Sequence, residues 1–90
     1  MSYQSVNPFN GETVKTFEPL TDAQLDATLE TAANCFEKWR RTTFAERADI
    51  AAKAASIMRE RIDEFAKPMT LETGKLFAEA KGEVTLSADI

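Results

Sequence analysis

Cys35 is the only cysteine of this 90-residue sequence and its strongest candidate nucleophile. A cysteine becomes reactive when a helix N-terminus or a neighbouring cation lowers its pKa. Cys35 lies instead deep inside a predicted helix, beside Ala32 and Phe36, where a small side chain serves packing. The sequence contains no histidine, which excludes imidazole bases and His-based zinc sites. We therefore predict that Cys35 is a packing residue and that the sequence holds no catalytic group.

The pair Gly74-Lys75 is a second candidate, because phosphate-binding loops contain the same dipeptide. Such a loop also requires an earlier glycine, a Ser or Thr directly after the lysine, and a preceding strand. Here Leu76 follows the lysine, and the residues before Gly74 have a helical pattern. The pair does not predict a nucleotide site, and Gly74 is instead expected to end a helix.

Two carboxylates, Glu79 and Glu83, lie four residues apart and so share one face of a helix. A general acid–base pair needs a cleft and perturbed pKa values, and the sequence indicates neither. Lys75 and Lys81 are close enough along the chain to be their ion-pair partners. We predict a solvated, ion-paired face.

The charge balance bears on the possible partners. The net charge is −4 and the isoelectric point is near 4.8, whereas nucleic-acid binding requires a basic surface. No apolar run approaches the roughly 20 residues that span a bilayer. The first five residues lack the basic and apolar regions of a signal peptide. We expect a cytoplasmic protein that binds neither nucleic acid nor membranes.

Residues 1–20 are predicted to form a β-hairpin. Tyr3–Val6 and Thr13–Phe17 are rich in β-branched and aromatic residues, and the intervening residues 7–12 contain a proline and an Asn-Gly pair. A two-stranded hairpin is only marginally stable in water, so it must lie on another element.

Residues 21–90 are predicted to be helical. A Thr-x-x-Gln capping box at Thr21 opens a first helix over Asp22–Trp39, and a Thr-x-x-Glu box at Thr43 opens a second. The apolar stripe of the first helix consists of Leu25, Leu29, Ala32, Ala33, Phe36 and Trp39. The second helix has apolar residues on two faces, which is more than 90 residues easily bury.

A break is expected near residues 61–63, because Pro68 inside a helix costs about 3 kcal/mol. Asp63 is the predicted N-cap of a third helix, which would place Pro68 close to its start. That helix is expected to end at Gly74 in the left-handed conformation.

The last helix is predicted from Leu76 onward and has no stop signal before Ile90. Its stripe consists of Phe77, Ala80, Val84 and Ala88. An amphipathic helix without a C-terminal cap leads us to expect that these residues were cut from a longer chain.

Several short motifs follow one another in a set order. They are Val6-Asn7-Pro8, Asn10-Gly11-Glu12, Phe36-Glu37-Lys38-Trp39-Arg40, Ala45-Glu46-Arg47 and Leu71-Glu72-Thr73-Gly74-Lys75, followed by Ala78-Glu79-Ala80 and Gly82-Glu83-Val84. In this order and spacing they resemble the opening of the NAD(P)-dependent aldehyde dehydrogenase superfamily, over essentially the whole chain. The residues from Gly74 to Ile90 are similar to bacterial succinate-semialdehyde dehydrogenases. One departure is Leu76, where many members have proline.

The resemblance implies the N-terminal part of an α/β, Rossmann-like aldehyde dehydrogenase fold: a hairpin and about four helices over residues 1–90, without the nucleotide-binding core and the catalytic domain. In such a fold these elements wrap the nucleotide-binding domain. Family members oxidise an aldehyde through a thiohemiacetal on a catalytic cysteine, pass hydride to NAD or NADP, and hydrolyse the thioester with a glutamate base. All of these residues lie beyond residue 90, so neither catalytic nor cofactor-binding residues are expected here. Cys35 matches a position that the family usually fills with a small residue.

The resemblance also implies a cation site and an assembly. Some members hold a structural monovalent cation with backbone carbonyls just before the Asn-Pro and an acidic residue after the Gly-Lys. The matching positions are Ser5, Val6 and Glu83. The implied partners are the rest of the dehydrogenase chain and further copies in a homo-oligomer, a dimer or a tetramer.

Two functions stay open from the sequence. The first is the leading segment of an aldehyde dehydrogenase, inactive and without cofactor on its own. The second is a free-standing helical interaction module without catalysis. The uncapped end favours the first, and a stable, monodisperse monomer that binds no hydrophobic dye would favour the second.

Overall fold

The chain begins with two short strands and continues through four helices. The computed structural model describes residues 2–90. The elements are β1 (Tyr3–Val6), β2 (Thr13–Phe17), α1 (Asp22–Trp39), α2 (Phe44–Glu60), α3 (Ile62–Thr73) and α4 (Phe77–Asp89). The predicted hairpin and four helices are confirmed. Within residues 2–90, none of the helices is both long and apolar enough to cross a lipid bilayer.

The hairpin is antiparallel and supported from one side. It pairs Tyr3 with Phe17, Gln4 with Thr16, Ser5 with Lys15 and Val6 with Thr13, with an irregularity between Ser5 and Val6. Its turn is closed by a hydrogen bond of 2.9 Å from the Asn7 N–H to the Glu12 carbonyl. Gly11 has a φ of 76°, which glycine adopts without steric cost. β1 contacts α3, which supplies the support that an isolated hairpin lacks.

Both predicted capping boxes are present. The Gln24 N–H donates to Thr21 Oγ1 at 3.2 Å, and the Thr21 N–H donates to Gln24 Oε1 at 2.9 Å. At the start of α2 the Glu46 N–H donates to Thr43 Oγ1 at 3.1 Å, and the Thr43 N–H donates to Glu46 Oε2 at 2.7 Å. These bonds satisfy N–H groups that would otherwise lack helical partners, so local sequence sets both helix starts.

The predicted break between the second and third helices is confirmed at Arg61, whose φ of −115° and ψ of 33° are not helical. The prediction that Asp63 caps α3 is wrong, because Arg61 is the N-cap and Asp63 lies in the first turn, paired with Lys81 at 3.3 Å. Pro68 also lies inside α3 rather than close to its start. Because proline has no N–H group, Pro68 donates no hydrogen bond to the carbonyl of Glu64, four residues earlier. Glu64 lies in the first turn of α3, next to the break.

Arg61 also anchors the first turn of α3 through Glu64. Its Nε donates to Glu64 Oε2 at 2.7 Å, and a second guanidinium nitrogen pairs with the same carboxylate. This hydrogen bond lowers the pKa of the Glu64 carboxyl below its ordinary value and raises that of Arg61. Because both side chains are exposed to water, the pair orients the turn and adds little stability.

A small core lies between α3, α4 and the second half of α2. Ala66, Ala80 and Val84 are fully buried, and Ala88 is nearly so. Met58, Ile62 and Met69 pack against this cluster. The predicted stripe of α4 is confirmed at its three buried members, whereas Phe77 is 41% exposed. Alanine at these positions lets the helix backbones approach closely, but it buries little apolar area.

The molecule is a thin slab of 48 × 37 × 15 Å with a radius of gyration of 17.4 Å. A compact domain of this length has a radius of gyration of about 12 Å. The accessible surface is 7420 Å², whereas a compact monomer of this mass exposes about 5,200 Å². Much apolar surface is therefore uncovered, as the two apolar faces of the second helix led us to expect.

Substituting alanine for Gly74, which ends α3, and for Gly82, inside α4, should have opposite effects on stability. Gly74 has a φ of 76° and an added Cβ would lie 3.4 Å from Pro8 Cγ, so Gly74→Ala should lower the free energy of unfolding by about 1–2 kcal/mol. Gly82 lies inside α4, where a Cβ meets no atom within 4 Å. Gly82→Ala should therefore raise the same quantity by about 1 kcal/mol. Urea unfolding measures the free energy of unfolding of both variants. An increase of this free energy in Gly74→Ala would contradict the left-handed conformation of Gly74 at the end of α3.

Candidate functional site

Cys35 lies in the middle of α1 and is exposed. The prediction that it is a packing residue is therefore wrong for residues 2–90, because α1 makes almost no contact with the other elements there. Cys35 also lies far from the N-terminus of its helix, where the dipole would stabilise a thiolate.

The hairpin is fastened where β1 meets the end of α3. The Ser5 hydroxyl donates to Glu72 Oε1 at 2.8 Å. Just after α3, the Lys75 ammonium pairs with the Glu83 carboxylate of α4. These two contacts link the first strand, the α3–α4 connection and the last helix, and we call this region the hairpin junction.

Two residues of the predicted cation site, Ser5 and Glu83, make the contacts of the hairpin junction, and Val6 follows Ser5 in β1. Ser5 and Glu83 each have a different partner there, and no hydrogen bond or ion pair joins Ser5 or Val6 to Glu83 in the part of the chain that the structure describes. That part also contains no cluster of three or more His, Cys, Asp or Glu side chains able to hold a metal. The cation site stays a prediction based on the resemblance.

The carboxylates of α4 are partly ion-paired, but not at the four-residue spacing expected. Lys75, which precedes α4, pairs with Glu83 eight residues further on. Lys81 pairs with Asp63 of α3 instead of a glutamate of its own helix. The acidic residue that sequence reasoning assigned to a helix cap is thus a cross-helix partner.

The Thr70 hydroxyl was not singled out from the sequence. Its Oγ1 is buried and has no hydrogen-bond partner among residues 2–90. It borders a groove of about 330 Å³ between the hairpin turn and the end of α3, lined also by Asn7, Phe9, Leu71 and Phe77. A buried hydroxyl without a partner costs about 1–3 kcal/mol. Only the tertiary contacts reveal it, because a threonine in a helix is ordinary in sequence.

The glycines provide no nucleotide cradle. A dinucleotide phosphate binds to a glycine-rich loop between a strand and the N-terminus of a helix. Gly11 lies in the hairpin turn, Gly74 ends α3, and Gly82 is inside α4. None of these three glycines therefore lies in a strand-to-helix loop of that kind.

Arg47 holds the connection between α1 and α2. Its Nη2 donates to the Trp39 carbonyl at 3.0 Å and its Nε to Thr42 Oγ1 at 2.8 Å. The guanidinium carbon lies 5.4 Å from the Trp39 ring centroid and 6.0 Å from that of Phe44. The Thr42 hydroxyl also donates to the Trp39 carbonyl, at 2.7 Å. Arg47 thus joins the end of α1, the connection and the first turn of α2.

Comparison with known proteins defines the class. The model of the aldehyde dehydrogenase family matches residues 1–90. The chain therefore belongs to the aldehyde dehydrogenase family, and its hairpin and four helices are the N-terminal part of that Rossmann-like fold.

Several relatives carry the same enzyme name. The chain is 49% identical over 88 residues to a succinate-semialdehyde dehydrogenase [NADP(+)] of Deinococcus radiodurans, covering 98% of this chain and 18% of that protein. It is 45% identical over 84 residues to the Mycobacterium avium enzyme of the same name, covering 92% and 18%. A crystal structure of succinic semialdehyde dehydrogenase from Streptococcus pyogenes with NADP+ superposes with a TM-score of 0.88 at 41% identity, over 97% of this chain and 19% of that one. The chain thus spans about a fifth of the length of these relatives.

Arg47→Lys should loosen the connection between α1 and α2. Lysine keeps the charge but lacks the planar fork that reaches both acceptors, so we expect a loss of about 1 kcal/mol for each hydrogen bond broken. Amide hydrogen exchange of residues 42–47 should accelerate. Arg41→Lys is the matched control, since the Arg41 side chain has no described polar contact, and equal exchange in both variants would contradict this role.

Proposed function

We propose that these residues are the leading segment of an NADP-dependent succinate-semialdehyde dehydrogenase, which oxidises the aldehyde to the carboxylic acid. The similarity to relatives of that name, at 43–49% identity along nearly the whole chain, carries the proposal. Membership of the aldehyde dehydrogenase family alone would not identify which aldehyde is oxidised. Similarity to several NADP-dependent succinate-semialdehyde dehydrogenases favours succinate semialdehyde as substrate and NADP as cofactor.

We propose that this segment is structural and that the reacting groups belong to the remaining four fifths of the complete enzyme. When bound, the nicotinamide accepts the hydride of the aldehyde. Two observations support a structural role: Cys35 has no activating neighbourhood at a helix N-terminus, and the glycines lie outside any strand-to-helix loop. The residues that hold the fold together are instead engaged in contacts between helices.

The alternative is a free-standing helical interaction module without catalysis. The exposed apolar residues of α1 favour it, since such a surface on a small protein marks a binding site. A module of this kind should be a soluble, monodisperse 90-residue monomer that unfolds cooperatively. The dehydrogenase segment should aggregate or unfold without cooperativity when it is alone.

We further propose that the complete enzyme is a cytoplasmic homo-oligomer, a dimer or a tetramer, without nucleic-acid or membrane partners. The acidic balance of the segment, with a net charge of −4, disfavours contact with phosphates and with anionic lipid surfaces.

The activity is tested on the complete reading frame that contains these residues. The purified product should reduce NADP+ with succinate semialdehyde, and the 90-residue chain should show neither activity nor NADP+ binding. Cys35→Ala in the complete enzyme should keep kcat/KM within about twofold, because Cys35 is not the nucleophile. A purified product that does not oxidise succinate semialdehyde, or a large loss of kcat/KM in the Cys35→Ala variant, would contradict the proposal.

The cation prediction at Ser5, Val6 and Glu83 has its own test. In a crystal of the complete enzyme grown with potassium or sodium, we expect cation density lined by the Val6 carbonyl. Lys75 competes for the same carboxylate, so Lys75→Met should leave the density unchanged or stronger. Absence of density in both proteins would show that Glu83 serves only its ion pair.

A further inference from the structure

The hairpin turn carries the pair Asn10-Gly11, which can react with water without any enzyme. In such a pair the glycine nitrogen attacks the side-chain amide carbon of the asparagine, and glycine has no side chain to hinder the approach. A bond forms from the Gly11 nitrogen to Asn10 Cγ, the bond from Cγ to Nδ2 breaks, and Nδ2 leaves as ammonia with the proton of the Gly11 N–H. Water then opens the succinimide ring at either carbonyl and leaves aspartate or isoaspartate. Both residues are exposed, so water has access to them.

The turn holds the attacking nitrogen in a hydrogen bond. The Gly11 N–H donates to the Asn7 carbonyl at 2.8 Å. The attack requires this N–H to lose its proton, because the lone pair of an amide nitrogen is otherwise delocalised into its own carbonyl. A hydrogen bond stabilises the protonated form, so the bond to Asn7 must break before the nitrogen reacts.

The Asn10 side chain is held at both of its polar atoms by Glu12. Asn10 Oδ1 accepts a hydrogen bond from the Glu12 N–H at 3.0 Å, and Asn10 Nδ2 donates to Glu12 Oε2 at 3.1 Å. The nitrogen that leaves as ammonia is therefore bound to a carboxylate, and that bond must break before it leaves. The negative charge of Glu12 also opposes the loss of a proton from the neighbouring Gly11 N–H.

Two further hydrogen bonds close the turn around this pair. The Phe9 N–H donates to Asn7 Oδ1 at 3.0 Å, and the Asn7 N–H donates to the Glu12 carbonyl at 2.9 Å. Asn7 and Glu12 thus hold the pair from both sides, through backbone and side-chain atoms. Each bond alone contributes modestly, but the pair is released only when several of them break together.

We propose that Asn10-Gly11 is a deamidation site that the hydrogen bonds of the hairpin turn protect, so that the modification follows the opening of this turn. The reaction has a structural consequence when it does occur. In isoaspartate the main chain runs through the former side chain and is one atom longer, which displaces the Gly11 N–H from the Asn7 carbonyl. The hairpin pairing next to the turn is then weakened, and with it the contact of Ser5 with Glu72 at the hairpin junction.

The test compares the complete protein, made from the reading frame that contains these residues, with a peptide of residues 8–14. The peptide lacks Asn7 and so cannot form the turn. Both are incubated at the same pH and temperature, and peptide mapping by mass spectrometry follows deamidation at Asn10. We expect the complete protein to react at least about tenfold more slowly than the peptide, since several hydrogen bonds must break together.

Two substitutions separate the contacts of the turn from general effects of charge. Glu12→Ala removes the acceptor of Asn10 Nδ2, and Glu18→Ala removes a carboxylate just beyond the end of β2. Each rate is divided by that of a peptide with the same sequence at residues 8–14. Glu12→Ala should raise this ratio at least about threefold, whereas Glu18→Ala should change it by less than about twofold.

Two results would overturn the proposal. Equal rates in the complete protein and the peptide would mean that the turn does not protect Asn10. Equal ratios for Glu12→Ala and Glu18→Ala would mean that the contacts of Glu12 do not control the reaction, whether Asn10 reacts in both variants or in neither. The measurement uses no substrate, so its outcome is independent of the assay with succinate semialdehyde.

Discussion

The close packing of α3 on α4 is the interaction on which the rest of the structure depends. Ala66, Ala80 and Val84 are fully buried there, and the second half of α2 adds Met58 at the edge. Such small side chains give close helix contact but little buried apolar area, and therefore a limited share of the stabilisation that folding requires. The hairpin and α1 lie outside this core, so their positions depend on polar contacts at its margins.

Those polar contacts are few and well placed. Ser5 fastens the hairpin to Glu72, and Arg59 of α2 donates to the Ala88 carbonyl at 3.1 Å and to Asp89 at 3.0 Å, closing the end of α4. Each bond is exposed or half-buried and contributes modestly. Together they set the direction of elements that the core does not reach.

In the proposed enzyme, this segment has a structural role and the reacting groups belong to the rest of the chain. Cys35 lies exposed in the middle of a helix, and the Glu83 carboxylate is paired with Lys75. The segment instead offers apolar faces that a compact monomer of its size would bury.

The sequence by itself determined the elements whose signals are local. Both capping boxes, the left-handed Gly74 and the hairpin turn follow from residues within a few positions of each other, since their hydrogen bonds are short in sequence. The ordered motifs also identified the family. Only the tertiary structure decided the cross-helix partners, such as Lys81 with Asp63, the buried Thr70 hydroxyl, and the exposure of α1. Periodicity shows that a helix has an apolar face, but which surface covers that face depends on contacts distant in sequence.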